Sequence, residues 1–233
     1  MRRALRAPLL IINLKNYGRT LGTSSAVLAR WAEAAAKRHE VCVALAPPAP
    51  LLYYLARRTR LPLLAQHVDP VRGERTTGYV TAEALAALGI SGSLLNHSEH
   101  RLDQESIERA VKLLREQGLA PVLCAADAAE ASRLAALRPE FLALEPPELI
   151  ATGTAVSRAR PELISRGVEL VRAAAPGTHV LCGAGITGEE DVRAALRLGS
   201  EGVLVASGIV LAQDWPATLD KMCRALAEGR PAV

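Results

Sequence analysis

A carboxylate, a histidine and a lysine each follow a short apolar run in this chain. Glu145 comes directly after the run 141–144. His97 follows the run 93–95 after one intervening residue, and Lys15 follows the run 9–14. A carboxylate can remove a proton beside a carbonyl group, a histidine can donate a hydrogen bond to the carbonyl oxygen, and an ammonium group can stabilise the enediolate charge. The three residue types therefore suit proton transfer at a carbon next to a carbonyl.

The residues after Glu145 indicate a hinge and a covering loop. Pro146 and Pro147 follow at once, then comes a segment rich in small residues, and then Ser157, which we predict to be a helix N-cap. An apolar run that is ended by prolines is typical of a buried strand. Glu145 is therefore predicted at the C-terminal tip of a strand, where α/β barrels carry their reactive residues.

Two further loops are predicted to bind phosphate. CGAGITGEED (182–191) and VASGI (205–209) each follow an apolar run and precede a helical pattern. Glycine- and serine-rich turns of this kind expose backbone N–H groups, which bind phosphate. In α/β barrels the loops after strands seven and eight commonly hold such a group. The substrate is therefore predicted to carry a phosphate.

Eight apolar runs alternate with amphipathic helical segments, and no linker or repeat interrupts them. This alternation is typical of a parallel sheet covered by helices, and eight strands are the number that closes into a barrel. The fold class predicted is α/β, a single (β/α)8 barrel domain over residues 1–233. The predicted strands are 9–14, 41–45, 63–66, 93–95, 122–124, 141–144, 179–182 and 202–205. The predicted helices include 24–37, 106–117 and 157–174.

Charge and hydropathy argue against nucleic-acid and membrane partners. The net charge of +4 is scattered over helical segments and aromatic residues are only 3% of the chain, whereas nucleic-acid-binding surfaces cluster basic and aromatic side chains. No run approaches the ~18 apolar residues of a membrane helix. The basic start followed by an apolar run resembles a leader peptide, but it lacks a cleavage site and is interpreted as strand one. A cytoplasmic location is expected.

The cysteines do not support a metal site or a disulfide framework. Cys42, Cys124, Cys182 and Cys223 are far apart, with no C-x-x-C pair and no neighbouring pair of histidines. Trp31 and Trp215 are interpreted as helix-packing residues.

Six segments spread over nearly the whole chain carry a resemblance to a known family. They are INLKNY (12–17), AQHVDP (65–70), LLNHSEHR (94–101), LEPPELIATG (144–153), LCGAGI (181–186) and GVLVASG (202–208). In this order they closely resemble the triosephosphate isomerase family, and its short archaeal branch in particular.

This resemblance implies an enzyme that interconverts dihydroxyacetone phosphate and D-glyceraldehyde 3-phosphate, in glycolysis and gluconeogenesis, without cofactor or metal. It implies that Glu145 is the base, His97 the electrophile and Lys15 the electrostatic stabiliser, oriented by Glu99. A helix beginning at Ser98 would keep His97 neutral, an arrangement for which triosephosphate isomerase is itself the standard example. The same enzyme exemplifies a closing lid, here 146–153. Substrate binding is implied for Asn13, Lys15, Ile150, Ala151, Gly185, Ala206 and Ser207.

The chain departs from the family pattern at two positions. Ala151 stands where the family lid has glycine, and alanine there is either strained at positive φ or simply stiffens the lid. Leu14 replaces the usual phenylalanine before the lysine, which is expected to change packing only. The resemblance also implies self-association, as a homotetramer with a dimer as the alternative.

Other interpretations stay open at this point. Another phosphosugar isomerase or epimerase is one, although an epimerase usually needs a metal cluster or two opposed carboxylates. A catalytically silent barrel that senses phosphosugars is the second; it would be expected to have lost Lys15, His97 or Glu145 while keeping the phosphate loops. His67 is interpreted as structural or as part of a subunit contact.

Overall fold

Eight parallel strands form one barrel in the computed structural model, which describes residues 3–146 and 155–229. The strands are β1 Leu9–Asn13, β2 Cys42–Ala46, β3 Leu64–Ala65, β4 Gly92–Leu95, β5 Ala120–Ala125, β6 Phe141–Leu144, β7 His179–Cys182 and β8 Gly202–Val205. They are hydrogen-bonded in the order β2-β1-β8-β7-β6-β5-β4-β3. A parallel bridge between Leu45 and Leu63 joins β2 to the start of β3 and closes the ring. The predicted (β/α)8 barrel is confirmed.

Helices cover the outside of the barrel. After β1 come a short 3-10 helix, Gly18–Thr20, and α1 Ser24–His39. The following helices are α2 Ala49–Ala56, α3 Ala82–Ala87, α4 Gln104–Glu116, α5 Ala128–Ala135, α6 Val156–Ala159, α7 Pro161–Ala174, α8 Glu189–Arg197, α9 Ser207–Val210 and α10 Trp215–Glu228. In the parts of the chain that the structure describes, none of these helices has the length and apolar character needed to cross a bilayer.

Both faces of the strands are buried, which explains why the strands are continuous apolar runs rather than alternating ones. In β1, Leu9 and Ile11 point into the barrel, whereas Leu10 and Ile12 pack against the helices. The interior cluster is completed by Ala44, Ala46, Leu64, Leu94, Val122, Cys124, Phe141, Ala143, Leu181 and Leu204. Large and small side chains fill this interior together, so the barrel is a packed core and all reactive groups must lie at its rim.

The predicted helix after the covering loop begins in the wrong place. Ser157 does not cap a long helix; it lies inside the four-residue helix α6, and its Oγ donates to Asp191 O at 3.4 Å. The long helix α7 begins at Pro161, because proline is favoured in the first turn of a helix. Likewise α4 begins at Gln104 and not at Ser106, since Asp103 accepts the Ser106 N–H at 2.8 Å and caps the helix.

Candidate active site

The C-terminal ends of the strands surround one cleft. Its wall contains every predicted site residue that lies in the described part of the chain. These are Asn13, Lys15, His97, Glu145, Gly185, Ala206 and Ser207, and they are joined by Tyr17, Ala184, Ile186, Leu204 and Val205. Ile150 and Ala151 lie outside the described residues.

Glu145 is held almost fully inside this wall. Its backbone N–H donates to Ala125 O at 2.8 Å, which extends the β5–β6 pairing by one residue past the end of β6. The residue is 5% exposed, and among the described residues its Oε2 has no hydrogen-bond partner. A buried carboxylate oxygen without a donor costs about 1–3 kcal/mol, and Glu145 lines the cleft, where a bound molecule can contact it.

A cysteine thiol lies beside the Glu145 carboxylate. Cys124, on the interior face of β5, is fully buried, and burial together with the negative charge of Glu145 raises the pKa of its thiol well above the usual range. The thiol is therefore a neutral S–H group. It adds no second negative charge next to the carboxylate.

His97 presents a single defined nitrogen to the cleft. The backbone N–H of Glu99 donates to His97 Nδ1 at 3.2 Å, so Nδ1 is an acceptor and the proton of the neutral ring resides on Nε2. Nε2 lies 3.7 Å from Glu145 Oε2. The expected helix at Ser98 is absent: 98–100 form a turn closed by His100 N to His97 O at 2.8 Å. The Glu99 amide N–H, and not the dipole of a helix, therefore determines which ring nitrogen of His97 carries the proton.

A buried polar network holds the turn that carries His97, and it could not be predicted from the sequence. Asn96 adopts positive φ (60°), and its side chain donates to Cys124 O at 3.0 Å and to Glu130 Oε1 at 3.2 Å. Its own Oδ1 accepts the Leu102 N–H at 3.1 Å. Arg101 pairs with Glu130 and completes the network. These groups are up to 34 residues apart in sequence. The sequence near His97 indicates only that the preceding residue is an asparagine, a residue type that adopts positive φ more readily than most.

Lys15 carries the positive charge of the site. Its Nζ donates to Glu99 Oε1 at 2.6 Å, and its side chain is 15% exposed whereas that of Glu99 is 56% exposed. The lysine backbone has φ 42° and is held by Asn13, whose Oδ1 accepts the Lys15 N–H at 3.0 Å. Gln66 Nε2 in turn contacts Asn13 Oδ1, Lys15 O and Ala46 O within 3.2 Å. The turn that presents the ammonium group is therefore rigid.

The two small-residue loops touch each other on the other side of the cleft. Ala184 and Gly185 both have positive φ (66° and 69°), which lets the chain turn sharply after β7. A Cβ on Gly208 would lie 2.3 Å from Ile186 O, so α9 packs its backbone directly on this loop. Asp191 also shapes the loop, because its Oδ2 accepts the Thr187 and Gly188 N–H groups at 2.8 and 3.3 Å.

The described residues contain no group of three or more metal-ligating side chains in suitable positions. The cleft instead offers a carboxylate, a neutral imidazole and an ammonium group facing one space, with two loops of closely packed backbone opposite. These groups can move a proton at a carbon beside a carbonyl and bind an anion.

Comparison with known proteins agrees with this chemistry. The family model described as triosephosphate isomerase matches residues 8–225. A triosephosphate isomerase of Cenarchaeum symbiosum is 46% identical over 95% of this chain and 99% of the relative. Those of Methanosarcina acetivorans and Methanopyrus kandleri are 42% and 44% identical, over 94% and 90% of this chain and 98% and 94% of the relatives.

The match covers the barrel from before β1 into α10 and includes every described residue of the cleft. The curated relatives are mostly archaeal, as the resemblance to the short archaeal branch predicted. The chain belongs to the triosephosphate isomerase family, which catalyses the interconversion of dihydroxyacetone phosphate and glyceraldehyde 3-phosphate.

Proposed function

We propose that this chain interconverts dihydroxyacetone phosphate and D-glyceraldehyde 3-phosphate with its own side chains alone, Glu145 acting as the base. The observation that supports this most directly is the pairing of two buried groups. Glu145 Oε2, which has no hydrogen-bond partner among the described residues, lies 3.7 Å from His97 Nε2, and both residues line the cleft. A substrate placed there has its acidic C–H toward the carboxylate and its carbonyl oxygen toward the imidazole.

Glu145 removes the proton from C1 of dihydroxyacetone phosphate, and the electron pair of the C–H bond forms the C1–C2 double bond of an enediolate. His97 Nε2 gives its proton to O2 and takes up the proton of the C1 hydroxyl, which moves the negative charge from O2 to O1. The protonated carboxyl group then returns a proton to C2, while the C1–O1 bond becomes the carbonyl group of the aldehyde. The burial of Glu145 keeps water away from this exchange, which favours return of the proton to carbon.

His97 donates its Nε2 hydrogen bond to the oxygen on which negative charge develops. Because Nδ1 accepts the Glu99 amide, the ring works as a neutral donor, a weak acid whose strength is close to that of an enediol. Triosephosphate isomerase is the established example of this pairing. Lys15 adds a positive charge near the same oxygen, and Asn13 contributes by holding the lysine turn.

The substrate phosphate is proposed to bind to the backbone amides of Gly185, Ala206 and Ser207. These residues line the side of the cleft where the loops after β7 and β8 meet. Ile150 and Ala151, from the proposed lid, are expected to add two more amides. The rigid contact between the two loops at Gly208 supports this proposal, because a preformed cradle binds an anion without rearranging.

Self-association and location stay predictions. A homotetramer is expected from the family resemblance, with a dimer as the alternative, and sedimentation of the purified protein distinguishes them. A second, wider groove adjoins the active site and is lined in part by Pro48, His67 and His100. The two histidine rings stack at 4.1 Å there, which favours a structural or subunit-contact role for His67.

We propose a cytoplasmic location, since the four cysteines are unpaired.

Turnover of glyceraldehyde 3-phosphate or dihydroxyacetone phosphate in an assay coupled to a dehydrogenase tests the activity. In D₂O, dihydroxyacetone phosphate should yield product with deuterium at C2, because the base exchanges its proton with solvent during some turnovers. Addition of EDTA should not change the rate. Binding of substrate without turnover would instead indicate a phosphosugar sensor. In the D₂O experiment, product that carries only the hydrogen from C1 of the substrate at its C2 would exclude a carboxylate base that exchanges with solvent.

A further inference from the structure

The short helix α9 carries one side of the proposed phosphate site, and it cannot hold its own position. It comprises only Ser207–Val210, a single turn. The backbone groups at the ends of a helix lack partners within it, and a helix this short is unstable by itself. Groups outside α9 must therefore fix the orientation of the turn that presents Ala206 and Ser207 to the cleft.

Two side chains hold the C-terminal end of this turn. The indole Nε1 of Trp215 donates to Val210 O at 3.1 Å, and Arg19 Nη1 donates to Leu211 O at 3.1 Å. The two donors also contact each other, since the Arg19 guanidinium carbon lies 5.0 Å from the centroid of the Trp215 ring. The carbonyl groups of Val210, the last residue of α9, and of its C-cap Leu211 are thus bound by a stacked cation–aromatic pair, which we call the α9 clamp.

The clamp connects the two chemically different sides of the cleft. Arg19 belongs to the same β1–α1 connection as Lys15, four residues further on. This connection is itself fixed, because the Thr20 N–H donates to Tyr17 O at 2.9 Å and Thr20 Oγ1 donates to the same oxygen at 3.2 Å. A displacement of α9 relative to Lys15 must therefore break the clamp.

Packing limits the turn on its other side. Gly208 already lies so close to the loop after β7 that a Cβ would meet Ile186 O at 2.3 Å. The turn is thus confined between this loop and the clamp. Arg19 and Trp215 do not line the cleft themselves, so they can affect the reaction only through the position of α9.

We propose that Arg19 and Trp215 are positioning residues for substrate binding. They hold the Ser207 turn at a fixed distance from Lys15, so that the phosphate and the carbonyl end of the substrate meet their partners simultaneously. This inference rests on the proposed phosphate site at Ala206 and Ser207. It adds this role to the packing role of Trp215, whose side chain is partly buried against the core.

The test compares Arg19→Gln and Trp215→Phe with the wild type. Each variant removes one hydrogen bond to α9, and Phe keeps the aromatic ring. The KM for glyceraldehyde 3-phosphate and the Ki for inorganic phosphate as a competitor should both rise by about 3- to 10-fold. The kcat should change by less than about 2-fold, because the phosphate is bound in the ground state and the transition state alike. Arg19→Lys, which keeps a charged donor, should recover part of the loss.

Arg30→Gln is the matched control. Arg30 stacks on Trp31 at 5.5 Å on the outside of α1, so this variant removes a similar cation–aromatic contact away from α9. Its KM and Ki should equal those of the wild type. Unchanged KM and Ki in folded Arg19→Gln and Trp215→Phe would overturn the inference, and so would a fall in kcat at constant KM.

Gly208→Ala separates failure of the inference from failure of the proposed phosphate site. This substitution must move the turn itself, whether or not the clamp matters, and it should raise both KM and Ki. If Gly208→Ala changes neither constant, the phosphate does not bind at this turn and the proposed site is wrong. If Gly208→Ala raises both constants and the clamp variants do not, only the role of Arg19 and Trp215 is wrong.

Discussion

Gly183 packs against the proposed base, and its replacement by alanine tests how accurately Glu145 must be placed. A Cβ at position 183 would lie 2.4 Å from Glu145 Cγ and 2.9 Å from Glu145 Oε1. Gly183 is not among the glycines with positive φ, so alanine meets no backbone strain there. The substitution therefore acts on the carboxylate by steric contact alone.

The size of the effect follows from these distances. Ordinary van der Waals contact begins at 3.4 Å, so the Glu145 Cγ must retreat by about 1 Å to accept the new methyl group. A misplacement of about 1 Å in a reacting group can lower the rate by ~10²-fold, which corresponds to about 2.7 kcal/mol in the activation free energy. Because Glu145 already lies 3.7 Å from His97 Nε2, the shift also changes the relation of the two reacting groups.

The assay is kcat in the coupled isomerase reaction, with Gly188→Ala as the control. Gly188 belongs to the same loop, has extended backbone (φ −160°), and a Cβ there meets no atom within 4 Å. We expect a ~10²-fold lower kcat for Gly183→Ala and a near-normal kcat for Gly188→Ala. A folded Gly183→Ala variant with kcat within about 3-fold of the wild type would refute the argument that the position of Glu145 limits the rate.

Four further substitutions test individual groups. Glu145→Asp withdraws the carboxylate by about 1 Å and should lower kcat by ~10²-fold in a folded protein, whereas normal kcat would remove Glu145 from the role of base. Lys15→Met should abolish turnover and weaken phosphosugar binding measured by calorimetry; unchanged activity would assign the charge balance to an arginine. Glu130→Gln should lower the free energy of unfolding by about 1–3 kcal/mol and reduce kcat, measured by urea denaturation and the coupled assay, and an unaltered kcat would show that His97 needs no support from this network. Ala151→Gly should leave KM nearly unchanged and lower the free energy of unfolding by at most about 1 kcal/mol; a higher Tm would show that Ala151 is strained at positive φ.

The order of the strands could be predicted because each carries a local signal. Strands buried on both faces need continuous apolar runs, and 141–144, 179–182 and 202–205 end where the structure ends β6, β7 and β8. The position of the candidate site residues could be predicted for the same reason. A polar residue directly after such a run lies at the rim of a parallel barrel, and this follows from the position of the strand alone, without knowledge of distant contacts.

The parts that could not be predicted depend on contacts between distant residues. The Asn96 side chain finds Glu130 only after β4 and β5 have paired, and nothing near Asn96 in sequence specifies that partner. The expected helix at Ser98 was wrong because Asp103, five residues later, provides a better N-cap for the same apolar pattern. Helix boundaries are decided by such small differences in capping energy, whereas strand positions are decided by burial.

Asn96, which follows β4, and Glu145, which follows β6, differ in how fully their side chains are hydrogen-bonded. The Asn96 side chain has its oxygen and its nitrogen both hydrogen-bonded, which fixes the turn that carries His97. Glu145 Oε2 is also buried and, within the described residues, has no donor. Leaving that oxygen unsatisfied lowers stability by about 1–3 kcal/mol. In the proposed mechanism, however, a donor placed there would compete for the electron pair that accepts the substrate proton. Within the described residues, the fold therefore satisfies the Asn96 groups that fix the turn carrying His97 and leaves without a donor the carboxylate oxygen that is proposed to react.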